Sequence, residues 1–247
     1  MIRGRVLLSW SSGKDSAWTL YRLQQAADFE IGGLLTTFNG ANRRVAMHAV
    51  RMELVEAQAQ AAGLPLWKVE LPFPCSNAIY EQRMREALEQ AKAQGITHLA
   101  FGDLFLEDVR AYRERLLEGS GIHPLFPLWG LETRRLAQEM IAADLRAVVI
   151  TVDPQQLSPS FAARSFDEQF LRDLPPQVDP CGERGEFHTF CFAGPIFRRP
   201  IPIRIGRRVT RDGFVFTDLT LRRARRGASF QSLPGGSHAP SDENLHP

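Results

Sequence analysis

Six consecutive residues close to the N-terminus, Ser11, Ser12, Gly13, Lys14, Asp15 and Ser16, combine hydroxyls, a glycine, an ammonium and a carboxylate. An apolar run from Val6 to Trp10 precedes them and a helical pattern from Ser16 to Ala27 follows, which sets the loop between a strand and a helix N-terminus. Backbone N–H groups converge at such a junction and bind anions. It is not a Walker A loop: Leu8 stands five residues before the Gly-Lys pair, where that loop needs glycine, and Asp15 stands where it ends in Ser or Thr. Lys14 offers phosphate a point charge. A carboxylate beside phosphates makes chemical sense with a bridging magnesium ion, so a Mg-nucleotide is the ligand expected, with Asp15 toward the Mg2+. The same residue types also make an ordinary turn and N-cap, and the loop alone does not separate the two.

Two further stretches gather charge. In AFGDLFLEDVRAYRE, residues 100–114, Gly102 and Asp103 close a strand at the expected carboxyl edge of a sheet, where open α/β folds bind ligands. Glu107 and Asp108 follow at the mouth of a pocket there, with Arg110 and Arg113 available to a carboxylate or phosphate. A charged helix start, acidic first and basic after, accounts for the same four residues without a site. In DPCGERGEFHTF, residues 179–190, Glu183, Glu186 and His188 crowd a glycine-broken loop before a strand, a poor place for so much charge unless it faces a site. Cys181, His188 and Cys191 lack a fourth ligand and the paired spacing of zinc sites, so small buried cysteines explain them better than a metal. His48 and Arg51 share a helix face that meets either the nucleotide or solvent.

The order of these motifs resembles a known family. SSGKDS is similar to the S-G-G-x-D-S loop of the PP-loop ATP pyrophosphatases, with Ser12 where that family has its first glycine, so a small departure of the backbone is expected there. Residues 100–114 and 179–190 resemble the two signature blocks of the diphthine–ammonia ligase family, the second of which reads C-G-E-G-G-E-Y-E-T. Arg184 here replaces a glycine and His188 a glutamate. With PLFPLWG, the likeness runs from near Arg5 to near Pro200.

This resemblance implies an α/β fold with an adenine nucleotide α-hydrolase-like (HUP-type) domain, ATP and Mg2+ as cofactors, and an amide ligase. Such an enzyme adenylates a substrate carboxylate, releases pyrophosphate and lets ammonia displace AMP. The resemblance implies ATP contacts at Ser11, Ser12, Gly13, Lys14, Asp15, Ser16, Gly102 and Asp103. It implies catalytic roles for Lys14, Asp15, Asp108, Glu183 and Glu186, and acceptor contacts at Glu107, Arg110, Arg113 and Thr189; His188, which the resemblance does not carry, is a further acceptor contact expected from its place in the loop. One of Glu183, Glu186 and His188 is the base expected to deprotonate ammonium, with Glu186 ahead of His188. The two replacements in the second block alter the charge that meets the acceptor, so a small-molecule acid is as open as a protein-borne one.

The elements that must position these residues are legible as alternation. RVLLSW, IGGLLTTF, LWKVELP and THLAFGD are apolar runs separated by helical patterns at Ser16 to Ala27, Met47 to Ala62 and Asn77 to Gln94, the rhythm of a parallel sheet. Gly63 and Gly95 stand where helices should stop. A helix from Leu131 to Ala143, the strand RAVVITV and a helix from Ser165 to Leu174 follow. After them come HTFCFAGPIF, IPIRIG and GFVFTDLTL, with a turn at Arg211-Asp212-Gly213, indicating a smaller α+β domain. The expected organisation is a nucleotide-binding domain at 1–122, a substrate domain at 123–222 and a disordered basic tail at 223–247, rich in Arg, Ser, Gly and Pro.

Composition narrows the classes. Thirty lysines and arginines against 28 acidic residues leave a net charge of +2, too balanced to call for nucleic acid. The cysteines Cys75, Cys181 and Cys191 form no C-x-x-C pair, which suggests a reducing cytoplasm rather than a disulfide framework. No apolar run is long enough for a membrane, and Ile2 after Met1 gives no N-terminal cysteine for a glutaminase. The expected partners are a small-molecule or protein-borne carboxylate and ammonia, and a homo-oligomer is compatible with the sequence. Two rival functions differ in what they need. Sulfur transfer to tRNA wants a reactive or paired cysteine and an RNA-binding module. An ATP sensor that cleaves nothing has no need of Asp15, Asp103, Asp108, Glu183 and Glu186.

Overall fold

The computed structural model describes residues 2–45 and 50–222. Val6, Leu7 and Leu8 of β1 (Gly4–Ser9) are all buried, because a parallel strand covered on both faces has no polar side to show. β1 lies inside a parallel sheet. On one side it pairs with β2 (Phe29–Asn39), which pairs in turn with β4 (Leu66–Leu71); on the other it pairs with β5 (His98–Ala100), which pairs with β6 (His123–Leu125). β3 (Arg44–Val45) joins antiparallel to the end of β2. The chain builds outward from β1 first in one direction and then in the other, so the loops leaving β1 and β5 open side by side at the carboxyl edge, the switch point where such sheets bind ligands.

Successive residues of β1 face opposite ways. Leu7 joins Leu99, Met84 and Leu88 beneath α3 (Asn77–Ala93). Val6 and Leu8 instead join Leu20 of α1 (Lys14–Ala26) and Leu54 of α2 (Met52–Ala62). The second sheet is antiparallel, in the order β8-β7-β10-β9, built from β7 (Arg146–Val152), β8 (Phe187–Ala193), β9 (Ile203–Arg211) and β10 (Phe214–Leu221). Its Val149, Phe190 and Cys191 belong to the same apolar cluster as Val6 and Leu8. One core therefore runs through both lobes. Of two more helices, α5 (Thr133–Ala142) packs Leu136 and Met140 into this core, and α4 (Glu107–Leu117) packs Leu117 with Leu7 and Leu99. The Glu132 carboxylate caps α5 by accepting from the N–H groups of Arg134 and Arg135 at 2.9 and 2.7 Å.

The α/β architecture and the strand runs agree with the sequence, and α2 ends at Gly63 in the left-handed conformation, φ 69°. Several expected bounds move. α1 begins at Lys14 rather than Ser16, with Gly13 as its N-cap. The helix expected from Met47 is described from Met52, because Arg51 bridges Arg44 and the Val50 carbonyl accepts the Val45 N–H at 2.8 Å; residues 46–49, and His48 with them, lie outside the described residues. The helix expected from Ser165 shortens to α6 (Glu168–Asp173). Ser165 bridges Val148, the Phe166 N–H bonds the Ala147 carbonyl, and Asp167 caps the helix from outside. β6, just past residue 122, pairs with the first sheet. The stretch 223–247 lies outside the described residues. Among the described residues no helix is long and apolar enough to cross a membrane.

Candidate active site

The loop after β1 is anchored at its start by Trp10, whose backbone N–H bonds the Leu35 carbonyl at 2.7 Å and whose indole N–H bonds Gln58 Oε1 at 2.8 Å. Ser12 then takes φ 73°, the left-handed conformation that glycine adopts without strain. Serine is kept in this turn because its carbonyl is held from two sides. It accepts from the Cys191 N–H at 3.0 Å and from Gln58 Nε2 at 3.0 Å, while the Ser12 hydroxyl is buried without a hydrogen-bond partner.

The second lobe reaches into this loop. Thr189 Oγ1 accepts the Lys14 N–H at 3.1 Å. The fully buried Lys14 ammonium bonds the two Asp15 oxygens at 3.0 and 2.9 Å and the Cys181 carbonyl, and lies 5.4 Å from the ring centroids of Phe166 and Phe187. Burial acts to lower the pKa of this ammonium, but the neighbouring acidic groups together, Asp15 foremost, more than offset it and keep Lys14 above the ordinary lysine range. Lys14 thus ties the loop to Cys181, where the sequence suggested a free point charge for phosphate.

Across from the loop, Gly102 follows β5. A β-carbon at Gly102 would stand 3.1 Å from the Asp15 carbonyl carbon, so the missing side chain lets this loop pass close to α1. Next to it, Asp103 Oδ2 lies 3.5 Å from Arg113 Nε; the pair forms no hydrogen bond, and both atoms are buried without one. Burial raises the Asp103 carboxyl against the pull of Arg113. Glu183 Oε1 accepts the Leu104 N–H at 2.7 Å. Burial pushes the Glu183 pKa up to about 7, with Asp15 and Asp103 adding to the rise and the Leu104 N–H and Lys14 opposing it.

Ser11, Gly13, Lys14, Asp15, Ser16, Gly102, Asp103, Arg113, Glu183, His188 and Thr189 line one cleft of about 190 Å³. Among the described residues no cluster of three or more His, Cys, Asp or Glu could hold a metal alone. The partly buried Asp15 and the unbonded Asp103 oxygen fit an ion that brings its other ligands with it, as Mg2+ arrives with phosphate oxygens.

Other expected site residues lie elsewhere. Glu107 and Asp108 are exposed in the first turn of α4. Arg110 is claimed by Glu114 at 2.8 Å and by the faces of Phe126 and Trp129 at 4.9 and 4.8 Å. Glu186 is buried, its Oε1 accepting the Asp179 N–H at 2.9 Å, which makes it a brace of the loop that carries Glu183. Arg51 makes a two-pronged pair with Asp218 of β10, at 3.1 and 2.7 Å, away from the cleft. Burial, helped by Lys14, lowers the His188 pKa to about 4, so the ring is neutral near pH 7. Burial pushes both inner thiols up, and Cys181 and Cys191 donate to the carbonyls of Thr133 and Ala193. Sequence reasoning missed Gln58, which bonds Trp10, Ser12 and the Cys191 carbonyl; its signal is a glutamine inside the apolar stripe of α2. It also missed the Phe101 and Phe187 rings of the cleft.

Residues 4–124 match the family model of the diphthamide synthase N-terminal domain and residues 132–221 that of its C-terminal domain. The chain is similar to the diphthine–ammonia ligase of Danio rerio, 26% identical over 226 residues, covering 81% of this chain and 86% of the relative. It is 24% identical over 241 residues to that of Bos taurus, covering 89% and 90%, and 24% identical over 222 residues to that of Homo sapiens, covering 80% and 82%.

Proposed function

Because the chain belongs to the diphthamide synthase family, we propose that it is an ATP-dependent ligase that adenylates a carboxylate and converts it to an amide with ammonia. The observation that carries this reading is one cleft in which a strand-to-helix loop, Asp103 with its unbonded oxygen, and a glutamate titrating near neutrality converge. The loop at the start of α1 suits the phosphates of ATP. Mg2+, held by Asp15 and Asp103 together with phosphate oxygens, would neutralise the charge of departing pyrophosphate. In the first step the acceptor carboxylate oxygen bonds the α-phosphorus and the bond to pyrophosphate breaks. In the second, ammonia attacks the acyl carbon and AMP leaves.

Ammonium must lose a proton before that attack. Glu183 suits this role, since a general base works best with a pKa near the operating pH. His188, titrating near 4, is too weak a base for it, and Glu186 serves the loop. The inner thiols, held protonated by burial, lack the thiolate character that sulfur delivery needs.

The test is product analysis with Mg-ATP, ammonium and a pool of carboxylic acids, with an Asp15→Asn protein beside the unaltered one. AMP and pyrophosphate should appear in an acid-dependent manner and fall sharply in the variant. ADP with phosphate, or no cleavage with any acid, would sink the proposal.

A further inference from the structure

A second chamber, of about 320 Å³, opens at the same carboxyl edge, beyond the ends of β2 and β4. It adjoins the nucleotide cleft through one shared side chain, His188, which lines both. Two aromatic rings stand open to solvent there: Phe73, just past β4, is 76% exposed, and Phe214, on the β9–β10 hairpin, 37%. Bare aromatic surface at a ligand-binding edge marks a place that something covers. Arg211 reaches the chamber from the same hairpin, its guanidinium 5.1 Å over the Phe216 ring. Its carboxylate partner, Asp212, is 3.4 Å away with a side chain 85% exposed. A pair this solvated is weak, so an incoming anion displaces it readily. Arg44 adds a second guanidinium to the wall, held by Asp218 at 3.0 Å.

We propose that this chamber seats the acceptor, and that the acceptor is a small acid with an apolar, ring-sized body and a second anionic group. The proposal rests on the ligase reading of the adjoining cleft. One carboxylate points past His188 toward the α-phosphorus, the body lies between Phe73 and Phe214, and the second anion pairs with Arg211. A guanidinium fork matches a carboxylate in shape and charge. A cationic body, though attracted by the rings, meets Arg211 beside Asp212 and Arg44 and Arg51 about Asp218, three guanidiniums against two carboxylates, and is repelled. His188, uncharged near neutral pH and shared by the two linings, offers a carboxylate seated between them no ion pair that would trap it.

The experiment titrates the full chain with benzene-1,4-dicarboxylate, benzoate and phenyltrimethylammonium by ligand-detected NMR, with Mg-ATP binding measured in parallel. The dicarboxylate should bind saturably, benzoate about tenfold more weakly and the cation not at all. Arg211→Gln should weaken the dicarboxylate about tenfold and leave benzoate and Mg-ATP unchanged, while Phe214→Ser weakens both acids and spares Mg-ATP. Absence of saturable acid binding, indifference to Arg211→Gln, or preference for the cation would each overturn the proposal. Failure of the unaltered protein to bind Mg-ATP would instead count against the ligase reading, and the acid titration would still decide the chamber.

Discussion

Replacing Glu183 by Gln should stabilise the protein at neutral pH while removing the base proposed for ammonium. The carboxyl titrates at about 7 in the folded chain, against an ordinary glutamate value of 4.5. Below pH 4.5 it is protonated in folded and unfolded chains alike and contributes nothing. Between 4.5 and about 7 the unfolded chain has given up the proton that the folded chain keeps, so the unfolded state binds fewer protons and stability falls as pH rises. At 1.36 kcal/mol per pH unit the full cost by pH 8 is about 3.4 kcal/mol, and solvent screening of this half-buried group reduces it to about 1–2 kcal/mol. Gln keeps the bond from the Leu104 N–H and has no proton to lose. Urea unfolding of both proteins from pH 4.5 to 8 should therefore give curves that coincide at the acid end and diverge by about 1–2 kcal/mol in favour of the variant at pH 8. In the same variant amide formation should fall about 10²–10⁴-fold, and in the unaltered protein it should rise with pH through about 7. Parallel stability curves, or a variant that forms amide at the normal rate, would refute the reasoning.

Two further substitutions probe the loop. Ser12→Gly relieves a left-handed serine and deletes a buried unbonded hydroxyl, so stability in urea should rise by about 1 kcal/mol after the entropy cost of glycine; a loss of stability would show that the turn is not strained. Gly102→Ala places a methyl 3.1 Å from both the Asp15 carbonyl carbon and Thr19 Oγ1, and the α1 backbone can give only by shifting the loop; calorimetric binding of Mg-ATP should weaken about tenfold, and an unchanged Kd would remove Gly102 from the site.

The parts of the fold that could be read in advance are those with a local cause. Strands buried on both faces read as apolar runs, as in β1, and Gly63 marks a helix end because the turn itself demands a positive φ. β6 left no such trace. It is three residues long, contains Pro124 and lies at the sheet edge, the place where a strand tolerates proline. The site was legible as a set of blocks but not residue by residue. Glu183 and Glu186 share one loop, and the left-handed turns at Gly182 and Gly185 send one glutamate to the cleft and bury the other. Arg110 and Arg113 share one helix, yet Phe126, Trp129 and Glu114 claim the first and Asp103 takes the second. Which charge a neighbour neutralises depends on contacts far away in the chain, and no spacing rule encodes them.

The bonds that Lys14 donates to the Cys181 carbonyl and to Thr189 Oγ1, and the one that the Cys191 N–H donates to the Ser12 carbonyl, also bear on how such a protein can be inherited. The N-terminal half is no transplantable cassette: grafted onto a foreign partner, it would carry the loop sequence but not the three grips that shape it. Recombination that exchanges acceptor specificity must therefore keep residues 181–191 with the parent of the loop, and variation is freest at the β9–β10 hairpin, which none of those grips touches.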